Sequence, residues 1–189
     1  MSNALEKAIA GLCAEDPAER ERAAAEVYAV GRTRALAATE AWRKDEELAR
    51  LLLGQEMQTT VGLAVERETF GKIRAANGVA LMAEVPSDQD AEEFELNFGE
   101  EVALDILTSR APGGSGAIAK YLAKFGEGVQ QVEFRCLDVD RATQILRERF
   151  GISAVYSETR TGADGTRVNF FLVRMPEDGK ILIELYEKK

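Results

Sequence analysis

Apolar residues fall at helical spacing over residues 1–56, and at every second position over most of residues 57–189. Leu5, Ala8, Ile9 and Leu12 mark one helical face. "EDPAER" then offers Asp16 as an N-cap, Pro17 at the first helical position and Glu19 to complete an acidic capping box. Ala24, Val27 and Tyr28 form the apolar stripe of that helix, and Gly31 predicts its end. Another helix is expected from Thr33 to about Arg43. Asp45 caps a last one carrying Leu48, Leu51 and Leu52.

After "GQEMQ" the period changes to two. "TTVGLAV" reads as a strand, with Val61, Leu63 and Val65 on one face and Thr60, Gly62 and Ala64 on the other. A short helix over 68–76 ends at "NG", and three strands are expected in "GVALMAEV", "EEFELNF" and "EEVALDILTS". "RAPGGSG" is a loop and "AIAKYLAKFG" a helix. The order then repeats: the strand "VQQVEFRC", then a helix from Asp138 or Asp140 to Gly151, then the strands "SAVYSETRT", "TRVNFFLV" and "KILIELYE". "ADG" and "PEDG" are hairpin signals between them. The pattern predicts an α+β fold: two βαβββ units over 57–189, preceded by an all-helical segment over 1–56.

Alternation also assigns faces. Gln131, Glu133 and Arg135 share one face of their strand, opposite Val132, Phe134 and Cys136. Glu184 shares a face with Leu182 and Tyr186, and Asp105 with Ala103 and Leu107. One side of each sheet is uniformly apolar and suits helix packing; the other collects the polar groups and suits a cavity.

Composition narrows the chemistry. The 189 residues include no histidine, so imidazole can serve neither as base nor as metal ligand. A formal charge of −9 without a Lys/Arg cluster predicts no nucleic-acid partner. No apolar run is long enough to predict a membrane span. Residues 1–13 lack a basic stretch followed by an apolar block, which predicts a cytoplasmic protein. Cys13 and Cys136 fit neither a disulfide framework nor a zinc knuckle.

The double βαβββ order, with "AIAKYLAKFGEGVQQVEF", "DVDRATQILRERFGI", "ETRTGADGTRVNFF" and "GKILIELYE", resembles the vicinal oxygen chelate superfamily, the glyoxalase and bleomycin-resistance fold. Its methylmalonyl-CoA epimerase-like branch is the most similar. The resemblance implies two half-barrels whose concave faces hold a divalent metal that polarises a carbonyl while a base takes the α-proton. The family's two metal-binding histidines fall on Thr60 and Gln131, its last-strand carboxylate on Glu184, and that carboxylate's counterpart near Asp105. A second acid/base of epimerase-like members falls near 84–89, "EVPSDQ", which reads equally as a polar hairpin loop. The Ala-rich N-terminal helices weakly resemble one HEAT-type repeat, although repeat stacks need about three units.

The expected ligand-binding set is therefore Thr60, Asp105, Gln131, Glu133, Arg135, Glu184 and Tyr186, with Glu184 as the candidate catalytic group. Glu133 and Arg135, two apart on one face, also fit a plain ion pair, and Glu184 could simply partner Arg135. "GGSG" is too short for a phosphate loop, and Cys136 reads as a small buried hydrophobe. No resident metal is expected; any that bound would be a weakly held Mg²⁺ or Mn²⁺ on Asp105, Gln131 and Glu184, since only oxygen donors are offered. The sequence reading is a small-molecule-binding homodimer with a degenerate metal site. The alternatives are a metal-dependent acyl-CoA epimerase or glyoxalase-type isomerase or lyase using Glu184 as base, and a protein-interaction module acting through the N-terminal helices.

Overall fold

The computed structural model describes residues 3–53, 58–176 and 179–188. Its helices are α1 (Asn3–Gly11), α2 (Pro17–Ala38), α3 (Glu46–Leu51), α4 (Arg67–Ala76), α5 (Ala117–Phe125) and α6 (Val139–Phe150). Its strands are β1 (Thr59–Ala64), β2 (Glu92–Phe98), β3 (Val102–Thr108), β4 (Gly128–Arg135), β5 (Arg160–Thr161), β6 (Arg167–Arg174) and β7 (Lys180–Glu187). The chain divides into two compact units, Met1–Gly31 with Thr60–Gln130 and Arg32–Thr59 with Gln131–Lys189, the division falling inside α2.

In the first unit the strand order is β2-β3-β1, with β1 parallel to β3 and β2 antiparallel to it. Val61, Leu63, Leu104, Ile106 and Phe94 form its fully buried face. Phe70 of α4 meets Phe94 edge-on, with ring centroids 4.7 Å apart. The helix stop expected at Gly31 does not occur, because α2 runs through it to Ala38. A Cβ at that position would lie 2.5 Å from Cγ1 of Val61, so the glycine serves close packing of helix on strand and not chain termination. The helix expected from Thr33 to about Arg43 is thus only the last turns of α2, which ends at Ala38, and Trp42–Lys44 forms a separate 3-10 turn. Its start is as read: Pro17 is the first helical residue, and Asp16 accepts a hydrogen bond from the Ala18 amide at 3.0 Å.

The strand expected over 78–85 does not form as regular structure. Gly78 and Val79 both hold positive φ, which turns the chain out of α4 and away from strand geometry. The segment is still tied to β2 by the Ala83 amide, which donates to the Glu93 carbonyl at 3.0 Å. This unit therefore runs β-α-β-β, with an irregular segment where a third strand would pair.

The second unit keeps all three strands after its helix. Its order is β4-β7-β6-β5, with β4 parallel to β7 and the other pairs antiparallel. The strand expected over 153–161 shrinks to the two residues of β5 plus an isolated bridge from Ala154 to Phe171. The "ADG" turn into β6 holds Asp164 and Gly165 at φ 50° and 73°, as a tight hairpin requires. The "PEDG" turn includes residues 177–178, outside the described residues. Val132, Phe134, Phe171, Ile183 and Leu185 are fully buried, as are Val139, Ala142, Ile145 and Leu146 of α6. Trp42 stands edge-on to Phe171 at 6.4 Å.

Capping fixes α6. Asp138 accepts from the Arg141 amide at 2.9 Å, and Gly151 closes the helix in the left-handed conformation. Arg141 and Arg149 on the same helix clasp the start of α3, pairing with Glu47, and Arg149 also with Asp45. Asp45 caps α3 by accepting from the Leu48 amide. These contacts hold the Asp45 and Glu47 carboxyls below their usual range: for Asp45 the Leu48 amide acts most, for Glu47 the Arg141 guanidinium. Asp140, bound by the Thr159 hydroxyl and the Arg167 guanidinium, is lowered in the same way.

Candidate functional site

Gln131 opens the second unit's half of β4 and points to the polar face, as alternation predicts. It is 7% exposed, and Glu184, in the middle of β7, is 9% exposed. The parallel register places Glu133 opposite Glu184 and Gln131 opposite Leu182, so all four side chains share one face. The Gln131 Nε2 group donates to Glu184 Oε2 at 2.8 Å and to Glu133 Oε1 at 3.1 Å. Two facing carboxylates offer only acceptors, so only the NH₂ end of the carboxamide can meet them. Directly opposed like charges would otherwise repel, and a neutral donor between them relieves that.

The same face continues across the sheet. Phe170 of β6 lies in register with Glu184, Leu172 with Leu182, and Val168 with Tyr186. Tyr156 meets Phe170 edge-on at 5.9 Å, and the Arg160 guanidinium lies 4.5 Å from the Tyr156 ring centroid. A carboxylate–amide cluster thus sits beside an apolar and aromatic wall. Phe170 and Leu172 were readable from alternation in "TRVNFFLV", but their registration with Glu184 and Leu182 was not. Tyr156 and Arg160 were not read as site residues, because they lie in the expected strand over 153–161, of which only β5 and an isolated bridge form.

Arg135 joins neither carboxylate. Its guanidinium donates to Gln58 Oε1 at 3.2 Å, and in register it stands beside Tyr186. The ion-pair readings of Glu133 with Arg135 and of Glu184 with Arg135 both give way to the Gln131 bridge. Tyr186 is half-buried, with the Lys188 ammonium 5.9 Å from its ring centroid.

Thr60 and Asp105 belong to the first unit. Thr60 is half-buried near the start of β1. Asp105 is 9% exposed, in register with Gly62 on one side and Glu95 on the other. Glu95 in turn accepts from the Asn97 side-chain Nδ2 at 2.9 Å. The 84–89 segment forms a loop whose carbonyls at Val85 and Gln89 receive the Arg110 guanidinium at 3.1 and 3.2 Å. Cys136 is buried, and burial pushes its thiol up to about 11, which keeps it protonated and unreactive at neutral pH.

The chemistry of the donor set decides what metal could suit it. With no imidazole in the chain, and with the Cys136 thiol buried and protonated, only oxygen donors remain among these residues, and such a set does not fit a late first-row metal. In the second unit, moreover, the Gln131 amide already occupies one oxygen of each carboxylate.

No family model matches the chain, and no curated protein does. Solved structures do match. The methylmalonyl-CoA epimerase of Mycobacterium tuberculosis is similar at 30% identity, over 70% of this chain and 87% of that one, with a TM-score of 0.57. A substituted Streptomyces coelicolor methylmalonyl-CoA epimerase in complex with 2-nitronate-propionyl-CoA is similar at 28% identity, over 68% and 94% of the two chains, with a TM-score of 0.53. A hypothetical protein from Bacillus halodurans shares the fold at 23% identity, over 69% and 92%, with a TM-score of 0.54. With two units of this strand order and a 30% identical epimerase aligned over most of its length, the chain belongs to the vicinal oxygen chelate superfamily, among its methylmalonyl-CoA epimerase-like members.

Proposed function

We propose that this chain binds a small molecule of the acyl-thioester class on the polar face of its second unit, without a transition metal. The observation that carries this reading is the Gln131 carboxamide donating to both Glu184 and Glu133. Where the resemblance aligns a metal-binding imidazole, this chain has a group that holds two carboxylates apart by hydrogen bonding. Carboxylates so placed accept from ligand N–H or O–H groups. Phe170 and Leu172 offer a surface for an acyl or pantetheine-like chain. The acyl-thioester class rests on the relatives, which are methylmalonyl-CoA epimerases.

Melting of the full chain tests this, with methylmalonyl-CoA, propionyl-CoA or free CoA, each in EDTA or with Co²⁺, Mn²⁺ or Mg²⁺. A ligand at 100 times its Kd stabilises the folded state by about 2.7 kcal/mol. The expected result is stabilisation by an acyl-CoA that is the same in EDTA and is lost in Gln131→Leu. Stabilisation that depends on Co²⁺, or none with any of the three, defeats the proposal. We also propose that the chain acts as a homodimer, which sedimentation would report as a species of about twice 20.7 kDa.

A second reading has the relatives' epimerase activity in its favour: an isomerase in which Glu184, buried on the same face, takes the α-proton of the acyl group. Exchange of solvent deuterium into the α-carbon of methylmalonyl-CoA, abolished by Glu184→Gln, would replace the first reading with this one.

A further inference from the structure

A groove of about 640 Å³ lies on the first unit, between α4 and the irregular segment that follows it. It plays no part in the cluster around Gln131. Arg67, Arg74 and Arg110 line it, with a single carboxylate, Glu92, among the lining residues. Arg67 pairs with that carboxylate at 3.1 Å. The other two guanidinium groups are held by neutral oxygens. Arg74 Nε donates to the Ala80 carbonyl at 2.8 Å, and Arg110 donates to the carbonyls of Val85 and Gln89. Carbonyls orient a guanidinium without cancelling its charge, so the groove is locally cationic in a chain of net charge −9.

Its remaining lining is apolar. Phe70 is buried there, while Val79 and Met82 are 59% and 37% exposed. Val79 also holds φ at 55°, a strained state for a β-branched residue, fixed by its amide donating to the Arg74 carbonyl at 2.9 Å. This strained turn keeps an apolar side chain at the groove instead of continuing a strand. Gly71 supplies an independent observation. It lines the groove from within α4, where glycine is a poor helix former, and a Cβ there would meet nothing within 4 Å. Packing does not demand a glycine at that position, whereas an open groove does.

We infer that this groove binds a small anionic amphiphile, an aliphatic chain ending in a carboxylate or a phosphate, with the anion on Arg74 and Arg110 and the chain over Phe70, Val79 and Met82. Guanidinium groups recognise either headgroup, and the volume falls within the range of small-molecule sites.

Nuclear magnetic resonance of the full chain with ¹³C-labelled methionine methyls tests this, since only four methionines are present and Met82→Leu assigns the relevant signal. The probes are decanoate, decyl phosphate and decyltrimethylammonium, each below its micelle concentration. The expected result is a saturable shift of the Met82 methyl with one or both anions and none with the cation; the tighter anion identifies the headgroup. Arg74→Gln with Arg110→Gln weakens binding about tenfold or more. Because those arginines also hold the loop, Gly71→Leu provides the second variant: it fills the groove, keeps or raises the melting temperature, and removes the shift. Equal response to the cation, no Met82 response to either anion, or an unchanged titration in Gly71→Leu overturns the inference.

Discussion

The two sheet units have matching strand orders, yet their polar faces carry different chemistry. In the second unit, the central row across β4, β7 and β6 reads Glu133, Glu184, Phe170. In the first, the equivalent row across β1, β3 and β2 reads Gly62, Asp105, Glu95. The second unit presents a bridged carboxylate pair beside an aromatic ring. The first presents one buried carboxylate, with a glycine on one side and an exposed glutamate on the other. The same topology thus carries a bridged carboxylate pair in one copy and a single buried carboxylate in the other. Strand order is set by the apolar faces, which the two units share, and those faces leave the opposite side free to diverge.

If the apolar faces are equivalent, removing one buried ring from each should cost about the same. Phe171→Ala and Phe94→Ala each empty a fully buried aromatic site and are expected to lose about 3–5 kcal/mol, read as shifts in denaturant midpoint. Phe94 packs its ring closer to its aromatic neighbour, at 4.7 Å against 6.4 Å for Phe171. A loss below about 1 kcal/mol for Phe94→Ala alone would break the equivalence and mark the first unit's core as able to relax around the gap.

The polar faces should respond unequally. Gln131→Leu removes the donor that Glu184 and Glu133 share and is expected to cost about 1–3 kcal/mol. Thr60→Val, at the corresponding strand entrance of the first unit, is expected to change stability by no more than about 0.5 kcal/mol. Equal losses at the two positions would show that the hydrogen bonds of the Gln131 amide to Glu184 and Glu133 contribute nothing particular to stability.

The legible parts of the fold were those where local pattern and long-range packing agree. Asp16 with Pro17, Asp45 and Asp138 mark helix starts through hydrogen bonds made within a few residues. Alternation placed Gln131, Glu133 and Glu184 on one face for the same reason. Two misreadings came from contacts that sequence cannot show. Gly31 looked like a helix stop because its partner, Val61, is thirty residues away. The 78–85 segment looked like a strand because its apolar residues alternate well enough, while the two left-handed residues after α4 that redirect it leave only Gly78 as a cue. For the site, sequence supplied residue types and faces. It could not supply the direction of hydrogen bonding, so Arg135 looked like the partner of its neighbouring glutamates, whereas the structure gives that role to Gln131.

The last expected difference again divides along the units, through the two thiols. Burial is the leading cause that raises both, Cys136 in the second unit to about 11 and Cys13 in the first in the same direction. Cys13 is half-buried and Cys136 is not accessible. A thiol-specific reagent at neutral pH should therefore label Cys13 first, and Cys136 only as fast as the protein opens. The buried thiol also predicts a slope in stability. Its folded pKa lies above the ordinary value of 9.0, so between about 9 and 11 the unfolded chain loses its proton first. Stability should then fall with rising pH by on the order of 1 kcal/mol per unit across that window, and be unaffected below it. Cys136→Ala removes this group alone, so the difference between the two proteins isolates its contribution from other groups that titrate in base. If that difference is flat from pH 8 to 11, Cys136 ionises as readily folded as unfolded, and the apolar face around it is more open to water than its packing implies.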